Sequence, residues 1–364
     1  MTVAGKGATV TANVGLIPFK LTEAVGGSGV SAVDVIVVEL ADADGARGLG
    51  FSYVIGGHGG VAFKAAQEQL SRFVDGAVLP PPAALWRKIN ASFNRTGGGP
   101  NLIALSAIDV AAWDLHARKL GLPLGVAMGG ELRPVAVYGS GGFNTVQPPE
   151  AAAQIAAEQA GRGLVAVKPR VKGMPSDAAV LAAVRKALPG QVQIMADANE
   201  KCDLTQALWL MALARDHNLL FVEEPLPAHA LEGYRRLASS GAAAIATGEH
   251  LQTRADFLPF ISERIASVIQ PDLAMVGGLT PVLELATLAE AFDGIVSPHF
   301  LPGLFAHVAA AAPSLRWLEE FPLLEPLFDG WPAIAANGTM TASARPGHGL
   351  ALTDHARREL VPAR

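Results

Sequence analysis

The sequence predicts an α/β protein: a (β/α)7β TIM-like barrel with an α+β capping domain. From about residue 134, short apolar runs alternate with Ala- and Leu-rich helical segments, and eight such runs follow at intervals of about 22–30 residues. Strand–helix repetition of this kind implies parallel pairing, and eight units close into a barrel. The first ~130 residues have a different pattern, in which an antiparallel hairpin precedes several helices.

Composition narrows the possible functions. Half of the 364 residues are hydrophobic and 17% are charged, which supports a sizeable core and excludes general disorder. The net charge of −5 shows no excess of basic residues, so no nucleic acid partner is expected. No apolar stretch approaches the ~20 residues of a membrane span, so no membrane partner is expected either. Cys202 is the only cysteine, which fits a reducing compartment, and we expect a cytoplasmic protein.

The N-terminal part is expected to form the capping domain, over residues 1–132. Residues 32–54 hold two β-rich runs around an Asp/Gly-rich turn, which is typical of a hairpin. Three helical stretches follow, at roughly 61–76, 82–93 and 102–120. These elements together predict an α+β unit.

The barrel is expected over residues 133–320, and the Pro- and Gly-rich tail, 321–364, is expected to return to the capping domain. The competing architecture is an open doubly wound sheet. It requires a glycine-rich phosphate turn after its first strand, and the sequence VYGSGGFN at residues 137–144 matches such a turn poorly. The eight predicted strands lie near 135–140, 164–170, 192–199, 219–225, 242–249, 266–272, 294–299 and 314–320.

Nearly every predicted strand ends in an ionisable residue. In a parallel barrel the C-terminal ends of the strands converge on the active site. A barrel built for stability alone has no need of charged groups at so many of these positions. The polar residues at the strand ends are Ser140, Lys168, Arg170, Asp197, Asn199, Glu223, Glu224, Glu249, His250, Asp272, His299, Glu319 and Glu320.

Three acids on consecutive strands predict a metal site. Asp197, Glu223 and Glu249 are one βα unit apart, since 223 − 197 = 26 and 249 − 223 = 26. Carboxylates brought together in this way repel unless a cation lies between them. Oxygen ligands without thiolate or imidazole favour a hard ion, and octahedral Mg²⁺ suits three carboxylates.

Two further pairs predict proton chemistry. Asp272 and His299 end adjacent strands, and a carboxylate beside an imidazole fixes its tautomer and raises its basicity. Lys168 and Arg170 alternate along one strand, so both side chains are expected to point inward. Buried cations facing three acids are expected to pair with them or to bind a substrate carboxylate.

The arrangement resembles the enolase superfamily, specifically its mandelate racemase-like subgroup. The resemblance covers nearly the whole chain, and its motifs are highly specific in combination. They are SAIDVAAWDL (106–115), AVKPR (166–170), D-x-N (197–199), VEEP (222–225), TGEH (247–250), QPD (270–272) and SPH (297–299).

The resemblance implies the capped barrel and a Mg²⁺ ion held by the residues matching Asp197, Glu223 and Glu249. It implies that Asp272 and His299 form the base dyad, and that Glu319 is the acid that hydrogen-bonds the enolate oxygen. A homo-oligomer acting on a small-molecule carboxylate is also implied. Predicted substrate contacts are Ser140, Asn199 and His250 at strand ends, and Lys20 and His58 in cap loops, next to a predicted glycine-rich lid at 22–29.

Position 170 departs from the family pattern. Many members carry a second lysine there, which acts as a base on the face opposite the histidine, whereas this chain has arginine. Guanidinium has a pKa of about 12.5 or above, so Arg170 is a poor base and racemisation with two bases is disfavoured. Dehydration needs one acid–base group. We therefore predict a Mg²⁺-dependent acid-sugar dehydratase, with a racemase, epimerase or cycloisomerase as the alternative and a non-catalytic binding barrel as a third hypothesis.

Overall fold

The computed structural model describes residues 8–21 and 30–363. The predicted lid at 22–29 lies outside the described residues. Within the described ranges, no helix combines the length and the apolar character that crossing a membrane requires.

The capping domain begins with an antiparallel sheet. Its strands are β1 (Val10–Lys20), β2 (Ala32–Asp42) and β3 (Arg47–Ile55). The predicted hairpin is confirmed as β2 and β3, which pair antiparallel. Strand β1 was not predicted; it pairs along its whole length with β2.

Helices follow this sheet in the capping domain. They are α1 (Gly60–Phe73), α2 (Pro82–Asn90), α3 (Pro100–Leu120) and the short α4 (Leu124–Ala127). The three predicted helices are therefore confirmed, with α2 continued by a 3₁₀ turn over 91–94. Helices α1 and α3 pack against the sheet. Helix α3 lies close against β3 because Gly50 has no side chain: a Cβ there would lie 2.1 Å from the carbonyl oxygen of Ala107.

The barrel strands follow in chain order, and every predicted run contains at least one of them. They are β4 (Val135–Gly139), β5 (Ala166–Val167), β6 (Gln193–Ile194), β7 (Ala196–Asp197), β8 (Val222–Glu223), β9 (Ile245–Thr247), β10 (Val268–Ile269), β11 (Ile295–Val296) and β12 (Trp317–Glu320). The helices between them are α5 (Pro149–Gly161), α6 (Ser176–Ala187), α7 (Leu204–Asp216), α8 (Leu231–Ser240), α9 (Arg254–Ser262), α10 (Leu273–Val276), α11 (Leu279–Glu290) and α12 (Pro302–Ala311).

Neighbouring barrel strands are parallel, in the order β12-β4-β5-β6 and β7-β8-β9-β10-β11. Strands β6 and β7 belong to one stretch that is interrupted at Met195, whose amide donates to Val167. A parallel bridge between Val296 and Leu315 links β11 to the segment entering β12. Parallel pairing places the C-terminal ends of all these strands on one side.

The tail contains β13 (Phe328–Asp329), β14 (Thr339–Met340), β15 (Ala351–Leu352), α13 (Asp354–Glu359) and β16 (Val361–Pro362). Strand β14 pairs with β4 of the barrel, whereas β16 pairs with β1 of the capping domain. Buried His348 also reaches the cap, since its Nε2 lies 2.7 Å from the carbonyl oxygen of Leu49. The exact boundaries at 132 and 320 stay a prediction.

Candidate active site

The three predicted metal ligands lie side by side. Asp197 on β7 is the register partner of Glu223 on β8, and Glu249 follows the end of β9 by two residues. Asp197 and Glu223 are each 1% exposed and Glu249 is 9% exposed. Three acids are thus buried together at the C-terminal ends of consecutive parallel strands.

Asn199 connects the first and third of these acids. Its backbone amide donates to Asp197 Oδ1 at 2.8 Å, and its side-chain amide donates to Glu249 Oε1 at 3.2 Å. The residue adopts φ of 43°, a left-handed backbone that asparagine tolerates better than most residues. The turn after β7 therefore holds both carboxylates in place.

Lys168 is the cationic partner of the cluster. The side chain is fully buried, and its Nζ lies 2.6 Å from Glu223 Oε2 and 2.7 Å from Glu319 Oε1. Burial alone would lower the pKa of Lys168, but the charges of Glu223 and Glu319 outweigh it and hold the pKa well above its usual value. Lys168 is therefore a fixed positive charge and a hydrogen-bond donor.

The carboxylate cluster includes an oxygen atom that is available to bind a cation. Glu223 Oε2 accepts hydrogen bonds from Lys168 and Gln270, each at 2.6 Å, whereas the buried Oε1 has no hydrogen-bond partner. Burial, with the charges of Asp197 and Glu249, raises the pKa of Glu223 well above its usual range despite Lys168. A buried carboxylate oxygen without a partner is costly, and a hard divalent cation such as Mg²⁺ would satisfy it.

Arg170 lies beside the same cluster. Its Nη1 is 2.5 Å from Asp197 Oδ2, while its buried Nε has no hydrogen-bond partner. Burial opposes the charge, but Asp197 and the neighbouring acids hold the pKa of the guanidinium above its usual value. Arg170 therefore stays protonated and presents a donor toward the cavity.

His299 and Asp272 form a close pair. His299 Nδ1 lies 2.6 Å from Asp272 Oδ2, and the other ring nitrogen, Nε2, lies 3.5 Å from Glu249 Oε2. Burial lowers the pKa of His299, but Glu249 and Asp272 outweigh it and raise the pKa to about 10. Because Nδ1 is engaged by Asp272, Nε2 is the nitrogen available to a substrate.

Glu319 lies on the far side of Lys168. Its Oε2 accepts a hydrogen bond from the backbone amide of Phe300 at 3.0 Å, and Ser140 lies beside it. Burial would raise its pKa, but Lys168 and His299 lower it to about 2. Glu319 is therefore an ionised acceptor in this arrangement, and the donor role that the family resemblance implied stays a prediction that requires a proton.

His250 occupies the edge of the site. Its Nδ1 lies 2.8 Å from the buried carboxylate of Glu224, and this hydrogen bond raises the pKa of His250 to about 9. Glu200, Glu224 and His250 offer ligand atoms that all lie within 4.8 Å of one another. The paired charges of Glu224 and His250 account for this cluster without a metal.

A cavity of about 440 Å³ opens between the cap and the barrel. Of the predicted site residues, Lys20 and His58 are exposed and are absent from its described lining, so the geometry gives these two no support. Lys168, Asp197, Glu223 and Glu319 are also absent from the described lining; they are buried, and Lys168 forms ion pairs with all three acids. The lining residues are Val30, Tyr53, Val54, Ile55, Ile103, Thr145, Arg170, Asn199, Lys201, Glu249, His250, Asp272, Ala274, Met275 and His299.

Sequence reasoning missed Thr145 and Lys201, which line the cavity, and two further polar residues that contact the predicted groups. Tyr53, near the end of β3, donates a hydrogen bond to Asp272, and Gln270, directly after β10, donates to Glu223. Gln270 could have been found, because it precedes Asp272 by two residues in the QPD motif and so lies on the same side of the strand. Tyr53 lies in another domain, and no local pattern indicates its contact.

Comparison with known proteins places this geometry in a family. Residues 8–129 match the N-terminal domain of the mandelate racemase/muconate lactonizing enzyme family, and residues 150–356 match the enolase C-terminal domain-like family. The chain belongs to the mandelate racemase-like subgroup of the enolase superfamily. The family confirms the predicted fold class, a capping domain over a (β/α)7β barrel.

Relatives of this chain include enzymes named for sugar acids. L-talarate/galactarate dehydratase of Salmonella typhimurium is 33% identical over 332 residues, which cover 90% of this chain and 82% of the relative. A 3,6-anhydro-alpha-L-galactonate cycloisomerase of Streptomyces coelicolor is 29% identical, covering 92% of this chain and 93% of the relative.

Among solved structures of the family, L-talarate dehydratase from Polaromonas sp. JS666 was crystallised with Mg and L-glucarate. It superimposes with a TM-score of 0.88 at 33% identity, and the match covers 98% of each chain. The similarity thus extends over the capping domain, the barrel and the tail.

Proposed function

We propose that this protein is a Mg²⁺-dependent acid-sugar dehydratase, a hydro-lyase. The observation that carries the proposal is that the cavity brings Glu249, one of three clustered acids, within 3.5 Å of the His299 ring, whose other nitrogen is held by Asp272. The names of the Salmonella and Polaromonas relatives, both dehydratases of sugar acids, support the same activity. The Mg and L-glucarate bound in the latter support the cofactor and the substrate class.

Asp197, Glu223 and Glu249 are the residues that would hold Mg²⁺. The buried, unpartnered Oε1 of Glu223 and the purely oxygen donor set fit this ion. When bound, Mg²⁺ supplies positive charge that favours the enediolate form of a substrate carboxylate, as enolase-superfamily sites are known to do. Asn199 and His250, which line the cavity, are proposed to contact the substrate. Ser140 is fully buried and absent from the described lining, so the geometry gives its predicted substrate contact no support.

The proton steps are assigned to His299. Burial lowers the pKa of His299 and Glu249 is the main cause that raises it, so offsetting the Glu249 charge with a bound divalent cation favours the neutral imidazole. The neutral Nε2 takes the proton from the carbon next to the carboxylate, while Asp272 holds Nδ1 and stabilises the imidazolium that forms. The imidazolium then returns that proton to the β-hydroxyl as its C–O bond breaks. The substrate loses one proton and one hydroxide, which leave as water, and the enol product ketonises to a 2-keto-3-deoxy acid.

The two cations that follow the second barrel strand are proposed to stabilise negative charge on the substrate. Arg170 faces the cavity and is proposed to bind the substrate carboxylate and its enediolate through charge-assisted hydrogen bonds. Lys168, held between Glu223 and Glu319, is proposed to supply a second positive charge next to the site. Since both groups stay protonated, neither provides a base on the face opposite His299.

The second candidate is isomerisation through the same enediolate. The specific observation in its favour is the cycloisomerase of Streptomyces coelicolor, whose match covers 93% of that relative. An isomerase would return the proton to carbon, whereas a dehydratase returns it to the departing oxygen. The products distinguish the two.

A substrate screen tests the proposal. The purified protein is incubated with Mg²⁺ and a panel of mono- and diacid sugars that includes galactarate, L-talarate, L-glucarate and D-gluconate, and 2-keto acids are detected with semicarbazide. We expect at least one sugar to yield a 2-keto acid, and EDTA to abolish its formation. Protein that binds no Mg²⁺ would instead indicate a non-catalytic barrel.

Several properties remain predictions. These are the cytoplasmic location, the homo-oligomeric state, and the division of the chain at residues 132 and 320. Size-exclusion chromatography with light scattering tests the oligomeric state directly.

A further inference from the structure

Tyr53 brings the capping domain into the barrel site. It lies near the end of β3, is 3% exposed, and its ring packs edge-on against Phe300, with ring centroids 5.0 Å apart and an interplanar angle of 79°. Phe300 directly follows His299 in the chain. Tyr53 therefore touches the segment that carries the base.

The Tyr53 hydroxyl donates a hydrogen bond to Asp272 Oδ2. This is the same oxygen that lies 2.6 Å from His299 Nδ1. The other oxygen, Oδ1, accepts hydrogen bonds from the backbone amides of Ala274 at 2.8 Å and Met275 at 3.0 Å. Asp272 is thus held by four donors, and Tyr53 supplies the only one that comes from the cap among the described residues.

Tyr53 remains a donor under working conditions. Burial, together with the negative charge of Asp272, raises the pKa of its phenol well above the usual value. A phenol that keeps its proton has an O–H group that can donate a hydrogen bond to a carboxylate. The hydroxyl therefore keeps its proton and restrains the carboxylate that His299 Nδ1 contacts.

We propose that Tyr53 is a positioning residue for proton transfer: its hydroxyl fixes the Asp272 carboxylate in the orientation that holds His299 toward the substrate. The inference rests on the proposed function, because it assigns Tyr53 to the dyad of that reaction. It also means that the dyad is complete only when the cap is docked. A residue more than 200 positions away in the chain thereby controls the alignment of the base.

The test compares Tyr53→Phe with Tyr234→Phe. The first variant removes the hydroxyl and keeps the ring that packs on Phe300. The second removes an equally buried hydroxyl, which donates to the carbonyl oxygen of Leu226 at 2.6 Å and has no contact with the dyad. Both are assayed on the sugar found in the screen, unlabelled and deuterated at the carbon next to the carboxylate, and both melting temperatures are measured.

For Tyr53→Phe we expect kcat to fall by about 10- to 100-fold with little change in KM, because alignment is lost while substrate contacts remain. The deuterium isotope effect on kcat should rise, since proton abstraction becomes slower. Tyr234→Phe should keep the wild-type kcat and isotope effect. A Tyr53→Phe variant with wild-type kcat, or one in which only KM rises, would overturn the proposal.

A second measurement is independent of turnover. The Nδ1 proton shared by His299 and Asp272 is expected at low field in the ¹H NMR spectrum, and its assignment is checked by its loss in His299→Asn. The signal should move in Tyr53→Phe and stay in place in Tyr234→Phe. If no sugar is dehydrated but the signal moves, the proposed function fails and the contact stands. An unmoved signal in Tyr53→Phe contradicts the inference itself.

Discussion

Arg170 and Asp197 are in direct contact, with Nη1 of the guanidinium 2.5 Å from Oδ2 of the carboxylate. The two residues also form a parallel bridge in the backbone, so the contact is built into the pairing of their strands. The position where many family members carry a basic lysine is therefore occupied by a fixed cation bound to a proposed metal ligand. This contact is the structural reason for preferring dehydration to racemisation.

Two substitutions of Arg170 distinguish the contribution of its positive charge from that of its guanidinium group. Arg170→Ala should raise KM and lower kcat by about 100-fold or more, because a preorganised donor to the enediolate is lost. Arg170→Lys should retain part of the binding, since it keeps a positive charge. Steady-state kinetics measure both, with Arg264→Ala as the control because Arg264 is exposed and forms its ion pair with exposed Asp293. A fully active Arg170→Ala would rule out the assigned role.

The metal site is tested by Glu223→Gln. The amide is nearly isosteric and its oxygen can still accept from Lys168 and Gln270, so we expect a folded protein. Mg²⁺ affinity should fall by about 100-fold or more, since even mutating a partner of a metal ligand costs 10- to 100-fold. Calorimetry measures the affinity, and Glu232→Gln on the exposed face of α8 should bind as wild type does. Equal affinities in the two variants would refute the ligand assignment.

The base is tested by His299→Asn. Because His299 is assigned both the proton abstraction and the protonation of the leaving hydroxyl, kcat should fall by about 10²- to 10⁴-fold. Mg²⁺ binding should persist, because the ring lies next to Glu249 without being one of the three ligands. His355→Asn removes an exposed histidine in α13 and should leave kcat unchanged. Near-normal turnover in His299→Asn would require another base.

The junction of cap, barrel and tail predicts a pH dependence of stability. Buried His307 accepts a hydrogen bond from Gly125 N at 3.1 Å, and burial lowers its pKa to about 4. The unfolded chain, with a pKa near 6.5, binds the proton first as the pH falls, so this stabilisation is present above pH 6.5 and lost toward pH 4. The difference amounts to about 3 kcal/mol.

Urea unfolding at about pH 7.5 and about pH 5 measures this effect. When the pH is lowered from the higher to the lower value, the free energy of unfolding should fall more for the wild type than for His307→Gln, because glutamine cannot be protonated. Parallel losses in both proteins would show that His307 does not titrate as its burial requires.

Much of the fold could be predicted because parallel barrel strands are continuous apolar runs between amphipathic helices. The strands themselves are shorter than those runs, and the interruption at Met195 depends on which neighbour each half pairs with. Strand β1 escaped prediction because Gly15 and Pro18 weaken its local signal. Its order comes from pairing with β2 and β16, which are distant in the chain.

The residues of the barrel site could be predicted from the sequence, whereas the contacts that the cap makes with them could not. The 26-residue spacing of Asp197, Glu223 and Glu249 places them together once a parallel barrel is assumed, and the structure brings them together. The contact of Tyr53 with Asp272 joins residues 219 positions apart in different domains, and only the docked cap reveals it. The exposed positions of Lys20 and His58 likewise depend on how the cap lies over the barrel.

The central claim is that proton transfer occurs on the His299 face and ends in loss of the β-hydroxyl. It is tested most directly by incubating the unmodified enzyme with Mg²⁺ and its sugar in D₂O and following substrate and product by ¹H NMR. We predict that a 2-keto-3-deoxy acid accumulates while the recovered substrate keeps its configuration at C2. Accumulation of the C2 epimer, with little or no keto acid, would contradict the account and establish a second base on the opposite face.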